Sequence, residues 1–347
     1  MCGASGRSSN SAVSGRGERP YLPFCPRTGA LPNMLSPLAL ARRTHKAYER
    51  NVEPRVLRLF RGVPRPLVYQ ARNFKEYQVA ARAVAALNND WLRTTWFRDH
   101  GSTPSRVRGY CAVCDTWNAF AVDSTVCSEW EGRRVPWWTN TLSCPKCHLA
   151  ARMRAALHLF ESLVARRTDE QIYITEQTTQ LYRQFQRRHP HLIGSEYLID
   201  STPKGRTNYS GFRCEDLTDL TFADAQFDHV LSFEVLEHIP DYKAALRECA
   251  RVLKPGGRLF CSAPFHGDER HTVRARINED GSIEHLLPPE YHGDPVNPTG
   301  VLCYRYFGLE LLDDLRAAGF SDASAWLYWS AKLGYMGEDR AVFVGDR

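Results

Sequence analysis

Long apolar stretches are absent from this 347-residue sequence. No run reaches the roughly 18 apolar residues that a membrane-spanning helix needs, so we expect no membrane segment. The amino terminus lacks the apolar core of a secretory signal. The 11 cysteines are odd in number, and most are scattered singly, which is not typical of a secreted disulfide framework. These absences predict a protein of a reducing compartment, and we expect it to be cytoplasmic.

Acidic residues are scarce in the first third of the chain. Residues 1–110 hold 19 Lys and Arg against 6 Asp and Glu, whereas residues 111–347 hold 26 against 33. A basic region of this kind can bind nucleic acid, but no aromatic–basic recognition motif accompanies it. We therefore interpret it as a solvated or domain-docking surface, with nucleic acid as a possible partner that the sequence does not favour.

Composition divides the chain into four parts. Residues 1–33 have a linker composition and are expected to be a disordered extension. Residues 34–108 read as a basic, mainly helical region, and residues 109–150 contain paired cysteines. Residues 151–347 alternate strand-like with helix-like segments, which predicts an α/β fold with a parallel sheet covered on both faces. The expected strands are 171–176, 191–198, 227–233, 258–264, 326–330 and 340–344, and the expected helices are 149–166, 180–188, 242–253 and 308–318.

Two C-x-x-C pairs indicate a metal site. The sequence reads Cys111-Ala-Val-Cys114 and then, after 29 intervening residues, Cys144-Pro-Lys-Cys147. A two-residue gap lets one tight turn present two thiolates to the same ion, and zinc favours four such ligands in a tetrahedron. Four cysteines leave no open coordination position, so we predict a structural Zn²⁺ in a zinc-ribbon-like segment. Further candidate ligands, if one of the four is wrongly chosen, are Cys127 and His148.

Residues 227–257 carry the most specific pattern. Phe227-Asp228 opens a buried strand, residues 235–240 read VLEHIP, and residues 251–257 read RVLKPGG, a sequence that ends a helix. This order resembles class I S-adenosylmethionine-dependent methyltransferases, in particular the methyltransferase type 11 family, over about residues 171–345. The resemblance implies a Rossmann-like sheet of seven strands with a reversed last strand. It also implies S-adenosylmethionine as the cofactor, beyond the carboxyl ends of the strands.

The resemblance also implies roles for individual residues. Asp216 matches the acid that accepts from the adenine amino group, with Leu217 beside the ring, and Glu196 matches the acid that accepts from the ribose hydroxyls. Phe233 and Glu234 match positions that line the cofactor and substrate. Further residues with implied roles are Asp200, as the alternative to Glu196, and Glu237 and His238, as structural residues.

One family feature, the glycine-rich loop after the first strand, is missing. The equivalent place reads Glu176-Gln177-Thr178-Thr179. Glycine there would permit a positive φ, which costs other residues about 1–2 kcal/mol. We therefore expect a turn rebuilt around Glu176, whose carboxylate meets the methionine ammonium of the cofactor, or a pocket that no longer binds the cofactor.

Residues 266–307 form a long segment between the fifth strand and the next helix, and a segment of this length is typical of a lid or binding loop. His292 and His285 are the candidates for a general base, because histidine titrates near neutrality. A metal site made by these two histidines with Asp294 is an alternative. The N/D-P-P-Y/F/W motif of many amino-methylating nucleic-acid enzymes is absent, since Ser232-Phe233-Glu234-Val235 occupies that place.

These observations favour an S-adenosylmethionine-dependent methyltransferase that acts on a small-molecule or glycan-like acceptor. Two alternatives stay open. The missing glycines allow a non-catalytic binding module of the same fold. The paired cysteines allow an RNA methyltransferase, because some ribosomal RNA guanine methyltransferases, which this chain resembles, carry a cysteine zinc site before the catalytic fold. The sequence leaves the oligomeric state open.

Overall fold

The alternating segments of the carboxyl-terminal half form one sheet of seven strands. The computed structural model describes residues 64–99, 105–138, 140–164, 167, 169–338 and 340–347. The expected extension at 1–33 and the first half of the basic region therefore lie outside the described residues. The strands of the sheet are β1 (Leu67–Ala71), β6 (Ile172–Ile174), β7 (Leu192–Gly194), β8 (Phe227–Phe233), β9 (Leu253–Ser262), β16 (Asp322–Trp329) and β17 (Ala341–Asp346).

The order of these strands is β1-β16-β17-β9-β8-β6-β7. The β7–β6, β6–β8 and β8–β9 pairs are parallel, and the β9–β17, β17–β16 and β16–β1 pairs are antiparallel. The last strand is thus reversed against β9, as expected. The predicted α/β sheet of seven strands is confirmed.

The sequence analysis named six of the seven strands and did not locate the seventh. The segment before Asp216 forms only a single parallel bridge, between Glu196 and Cys214. The basic amino-terminal region supplies β1 instead, which pairs along its whole length with β16, from Leu67 opposite Trp329 to Ala71 opposite Ala325. Because this pairing joins segments far apart in the sequence, only the folded chain reveals it.

Five helices cover the two faces of the sheet. They are α1 (Phe74–Trp91), α2 (Ala151–Leu163), α3 (Gln180–Gln186), α4 (Tyr242–Val252) and α5 (Leu311–Ala317). A π-helical turn (Leu92–Trp96) and a short turn (Phe97–Asp99) continue α1. One hydrophobic core lies between the sheet and α1, α4 and α5, and a second lies between the sheet and α2, α3 and the cysteine segment.

Helix α4 shows why its sequence pattern predicted a helix. The Asp241 carboxylate caps its first turn by accepting from the Ala244 amide at 3.0 Å. Apolar residues at helical spacing, among them Ala245, Leu246 and Cys249, point into the core. At the amino-terminal ends of the parallel strands, Nζ of Lys254 lies 2.7 Å from Oδ2 of Asp228, and this ion pair joins the starts of β8 and β9.

Among the described residues, ten further strands form five antiparallel pairs outside the sheet. In the cysteine segment they are β2 (Arg106–Cys111), β3 (Thr116–Ala121), β4 (Cys127–Trp130) and β5 (Arg133–Pro136). In the lid segment they are β10 (Thr272–Val273), β11 (Ala275–Ile277), β12 (Ile283–His285), β13 (Tyr291–His292), β14 (Val301–Leu302) and β15 (Arg305–Tyr306). Within the residues the structure describes, no helix is long and apolar enough to cross a membrane.

The cysteine segment docks on the sheet through a buried arginine. Arg154, in the first turn of α2, is fully buried and donates to the carbonyls of Leu142 at 3.0 Å and Leu333 at 2.7 Å. Its guanidinium lies 3.9 Å from the centre of the Phe120 ring. The segment is therefore continuous with the core of the sheet.

Candidate cofactor and metal sites

The four cysteines of the two C-x-x-C pairs converge on one point. The Sγ atoms of Cys111 and Cys147 are 3.8 Å apart, those of Cys114 and Cys144 are 3.9 Å apart, and all four lie within 4.8 Å of one another. The β2–β3 turn brings the first pair, and it closes with Asp115 at a φ of 52°. The predicted convergence is confirmed.

The spacing of these sulfurs matches one tetrahedral ion. Zinc–sulfur bonds of about 2.3 Å place tetrahedral ligands about 3.8 Å apart. The two alternative ligands lie elsewhere: the Cys127 thiol donates to the carbonyl of Ser124, and the His148 side chain is exposed. The set is therefore composed of thiols alone.

Four acidic residues meet at the carboxyl edge of the parallel strands. Glu176 follows β6, Glu196 follows β7, Asp216 follows the bridge at Cys214, and Glu234 follows β8. Because parallel strands end at the same edge, residues separated by 58 positions in the chain become neighbours. This edge is where the sequence analysis placed the cofactor.

The turn after β6 forms without glycine. None of residues 175–179 has a positive φ, so no glycine is needed there. Oε1 of Glu196 accepts from the amides of Gln177 and Thr178 at 2.6 and 2.7 Å, and from the Thr178 hydroxyl at 2.8 Å. The turn is thus organised by Glu196 of the neighbouring strand, and Oε2 of Glu196 takes no part in those bonds.

Glu176 is buried at the start of that turn. Its Oε2 accepts from the Thr179 hydroxyl, while its buried Oε1 has no hydrogen-bond partner among the described residues. Burial raises the pKa of the Glu176 carboxyl to about 7. A buried acceptor without a donor is expensive, so it marks a place where a cationic or hydrogen-bonding group fits.

Asp216 and Leu217 lie at the end of the same edge. Oδ1 of Asp216 accepts from the amide and the hydroxyl of Thr218 at 2.9 and 2.7 Å, which closes a local turn. The Leu217 side chain is buried beside it. Asp200, the alternative acid, is exposed and bonds to the Thr202 amide at 2.9 Å.

Glu234 takes part in a contact that the sequence did not predict. It has a φ of 57°, its Oε1 accepts from Ser262 at 2.7 Å, and its Oε2 lies 3.0 Å from the guanidinium of Arg152. Arg152 lies five residues after Cys147, so the fold of the cysteine segment places the positive charge of Arg152 at the carboxyl edge of the sheet. Phe233 is buried, with its ring stacked on Phe185 at 6.3 Å.

The lid segment folds over the turn that follows β8. In the helical turn Leu236–His238, the carbonyl of Glu237 accepts a hydrogen bond from the Tyr304 amide at 2.8 Å. Just after this turn, the carbonyl of Ile239 accepts from Arg305 at 2.6 Å. These bonds hold β13 and β14 next to the sheet edge.

The two predicted bases are separated by this folding. His292 lies against the turn, with Nδ1 3.2 Å from Nε2 of His238. His285, at the end of β12, is exposed and does not join His292 and Asp294 in a ligand cluster of the described residues. The alternative loop metal site from those three residues is therefore wrong, because the β11–β12 hairpin carries His285 away.

A buried carboxylate accompanies the two histidines. Glu237 is fully buried, none of the described residues hydrogen-bonds either of its side-chain oxygens, and burial raises its pKa to about 7. The sequence analysis read Glu237 and His238 as structural residues. Only the lid, through His292, brings them into a polar cluster.

Known proteins share part of this arrangement. The methyltransferase type 11 family model, described as a methyltransferase domain, matches residues 178–261, which run from the turn after β6 into β9. This segment therefore matches a methyltransferase domain. The recognition made from the sequence is confirmed, and the domain contains Glu196, Asp216 and Glu234.

The similar curated proteins match over a short stretch. A ubiquinone biosynthesis O-methyltransferase of Coxiella burnetii is 41% identical over 51 residues, and one of Xanthomonas oryzae pv. oryzae is 48% identical over 52 residues. Each alignment covers 15% of this chain and 22% of the relative. The chain thus spans about a fifth of the length of these relatives.

Solved structures resemble the chain at low identity. The alignment with an S-adenosylmethionine-dependent methyltransferase from Mesorhizobium loti covers 58% of this chain and all of the Mesorhizobium chain, with 14% identity and a TM-score of 0.37. A Burkholderia thailandensis 1,6-didemethyltoxoflavin-N1-methyltransferase covers 57% of this chain and 78% of its own, with 18% identity and a TM-score of 0.34. The domain assignment therefore rests on the family match and on the strand order.

Proposed function

We propose that this chain is an S-adenosylmethionine-dependent methyltransferase that acts on a small-molecule or glycan-like acceptor. The observation that carries the proposal is the position of the family match. The match covers β7, β8 and most of β9 and contains Glu196 and Asp216, while Glu176 lies two residues before it at the same carboxyl edge of the sheet. Ligands of such sheets bind at that edge.

The residues at this edge fit the cofactor. Glu176, with its unpartnered Oε1, would pair with the methionine ammonium, and Oε2 of Glu196 would accept from a ribose hydroxyl. Asp216 would accept from the adenine amino group beside Leu217. When bound, S-adenosylmethionine supplies a methyl group on a positively charged sulfur.

The protein's own task is orientation of the acceptor and removal of its proton. The lid segment covers the edge and holds His292 and its neighbours there, whereas His285 is exposed at the end of β12, so we favour His292 of the two candidate bases. The short match to proteins named O-methyltransferases favours oxygen as the accepting atom. We therefore expect an acceptor with a free hydroxyl group.

We also propose that the four converging cysteines bind a structural Zn²⁺. Their sulfur spacing and the absence of any other ligand type support this assignment. The ion would fix the β2–β3 turn and, through the adjoining start of α2, the position of Arg152 next to Glu234.

Cofactor binding can be tested by calorimetry with S-adenosylhomocysteine. Glu196→Gln keeps a carbonyl oxygen for the turn amides but removes the charge, and Asp216→Ala removes the adenine acceptor. A hydrogen bond to a charged group is worth about 1.5–3 kcal/mol, so each variant should bind roughly 10- to 100-fold more weakly. Asp219→Asn is the matched control, because exposed Asp219 lies on the same turn and pairs with Lys204.

Failure of the wild type to bind would refute the proposal. It would then favour a non-catalytic binding module, for which the turn after β6 gives a specific reason. In that turn, Glu196 already uses Oε1 to hold the Gln177 and Thr178 amides. Equal affinity of wild type, Glu196→Gln and Asp216→Ala would refute the assigned roles but leave binding itself intact.

A further inference from the structure

The cluster under the lid consists of Glu237, His238 and His292. Oε1 of Glu237 lies 3.6 Å from Nε2 of His238 and 3.7 Å from Nδ1 of His292. These two nitrogens are 3.2 Å apart. The three atoms form a nearly equilateral triangle at the carboxyl edge of the sheet, outside the cysteine site and outside the predicted contacts with the cofactor.

The other nitrogen of each ring is already held by an acceptor. Nδ1 of His238 donates to the carbonyl of Leu302 at 2.8 Å, and Nε2 of His292 donates to Oε1 of Glu290 at 3.0 Å. A carbonyl or carboxylate cannot donate, so these nitrogens carry the ring protons. In neutral rings the two facing nitrogens then carry lone pairs. Metal-binding histidines are oriented in this manner, by a carbonyl or carboxylate on the second nitrogen.

The size of the triangle fits one ion. Nitrogen and oxygen ligands bind zinc at about 2.0–2.1 Å, which places tetrahedral ligands about 3.3–3.4 Å apart. The observed separations are 3.2, 3.6 and 3.7 Å. Glu237 is fully buried, and its two oxygens have no hydrogen-bond partner among the described residues. A buried carboxylate that lacks a hydrogen-bond partner and lies beside two nitrogen lone pairs is a favourable place for a cation.

We propose that Glu237, His238 and His292 bind a divalent transition-metal ion, such as Zn²⁺, distinct from the ion of the cysteine cluster. Two imidazoles and one carboxylate suit Zn²⁺, Fe²⁺ or Mn²⁺ better than Ca²⁺ or Mg²⁺, which favour all-oxygen sites. Glu290 is a positioning residue in this site, because it acts through the His292 ring.

A second group, formed by Glu290, His292 and Cys303, overlaps this site. Its members are already engaged. Glu290 lies 3.1 Å from the guanidinium of Arg274 and accepts from the Tyr306 hydroxyl, and the Cys303 thiol donates to the carbonyl of Arg305 at 3.3 Å. Since Glu237 lacks such partners, the structure favours the first set.

Three protein ligands leave coordination positions open, as in catalytic rather than structural metal sites. In the proposed function, which this step presupposes, an open position would hold the hydroxyl oxygen of the acceptor, and His292 would then act as a metal ligand rather than as the base. The class of acceptor is then one whose hydroxyl group binds a metal ion. The assignment of the metal site itself does not depend on that function.

The test is the number of zinc ions bound by the full-length chain. The purified protein is dialysed against Zn²⁺, and bound metal is measured by atomic emission. We expect one ion beyond that of the cysteine cluster in the wild type, and loss of that ion in His238→Ala, His292→Ala and the isosteric Glu237→Gln. Glu290→Gln should weaken it about 10- to 100-fold, as for other residues that orient a metal-bound histidine.

His191→Ala is the control, since His191 is exposed and distant along the chain from the lid. Circular dichroism establishes that each variant is folded, and Glu237→Gln keeps the test valid if a histidine variant unfolds. Absence of the second ion from the wild type would overturn the proposal. So would its retention in Glu237→Gln, or its loss only in Cys303→Ser. Binding of S-adenosylhomocysteine, measured on the same samples, separates failure of this site from failure of the proposed function.

Discussion

Replacement of Glu176 by Gln should stabilise the folded chain in a pH-dependent way. Burial raises the pKa of Glu176 from 4.5 to about 7. Each tenfold change in a proton equilibrium corresponds to about 1.4 kcal/mol, so ionisation of this buried carboxyl costs the folded state about 3 kcal/mol. Glutamine keeps the shape of the side chain and cannot ionise, so the variant avoids this cost.

The sign follows from proton linkage. Between pH 4.5 and about 7 the folded wild type binds more protons than the unfolded chain at this site, so its stability falls as the pH rises. Below pH 4.5 the carboxyl is protonated in both states, and the difference from Glu176→Gln vanishes. Above about pH 7 the difference reaches its full value of about 3 kcal/mol in favour of the variant.

Urea unfolding of both proteins at several pH values between 4.5 and 8.5 measures this difference. Effects shared by both proteins, such as loss of the proposed zinc ion at low pH, cancel in the comparison. Arg152→Gln supplies a check, because the positive charge of Arg152 lowers the pKa of Glu176. Removal of that charge should move the pH dependence upward. A free-energy difference that stays constant with pH would refute the reasoning that Glu176 is buried and pays for ionisation.

Three further predictions concern stability. Chelation of the proposed zinc ion, or Cys144→Ser, should lower the thermal unfolding temperature of the whole chain rather than of one segment, because the cysteine cluster shares a hydrophobic core with the sheet. Calorimetry measures this temperature, and Cys127→Ser should not change it. Arg154→Met should cost about 2–6 kcal/mol in urea unfolding, since it leaves the buried carbonyls of Leu142 and Leu333 without donors; no change would contradict the docking role. Gly194→Ala should cost about 1–3 kcal/mol, because its Cβ would come within 2.7 Å of the Glu176 carbonyl oxygen. Gly293→Ala, where nothing lies within 4 Å of the added Cβ and φ is not positive, separates this packing effect from a general glycine effect.

Local signals were sufficient for most of the carboxyl-terminal half. The strand from Phe227, the helix after Asp241 and the reversed strand at 341–346 were predicted within a few residues, because apolar periodicity and caps act over short distances. The C-x-x-C spacing likewise predicted the convergence of four thiols. Strand β1 could not be predicted in this way, because its partner β16 lies more than 250 residues away.

The glycine-free turn after β6 was also predicted only in part from the sequence. The sequence showed that no glycine follows β6, and it left open how the turn would close. The structure closes it with Glu196, which follows the next strand in the chain and to which the family resemblance gave a role in binding the ribose. A carboxylate takes the place of the glycine-rich loop, and it comes from a residue that follows a different strand. No single segment of the sequence therefore predicts how the turn closes.

The sequence by itself determined the fold class, the methyltransferase motifs, the four cysteines and the acids at the ends of the strands. These depend on local spacing and on the chemistry of each residue type. Only the tertiary structure decided which residues meet: Arg152 with Glu234, and His292 with Glu237 and His238. Such contacts depend on how the lid and the cysteine segment pack on the sheet edge, and packing joins residues that have no fixed separation along the chain.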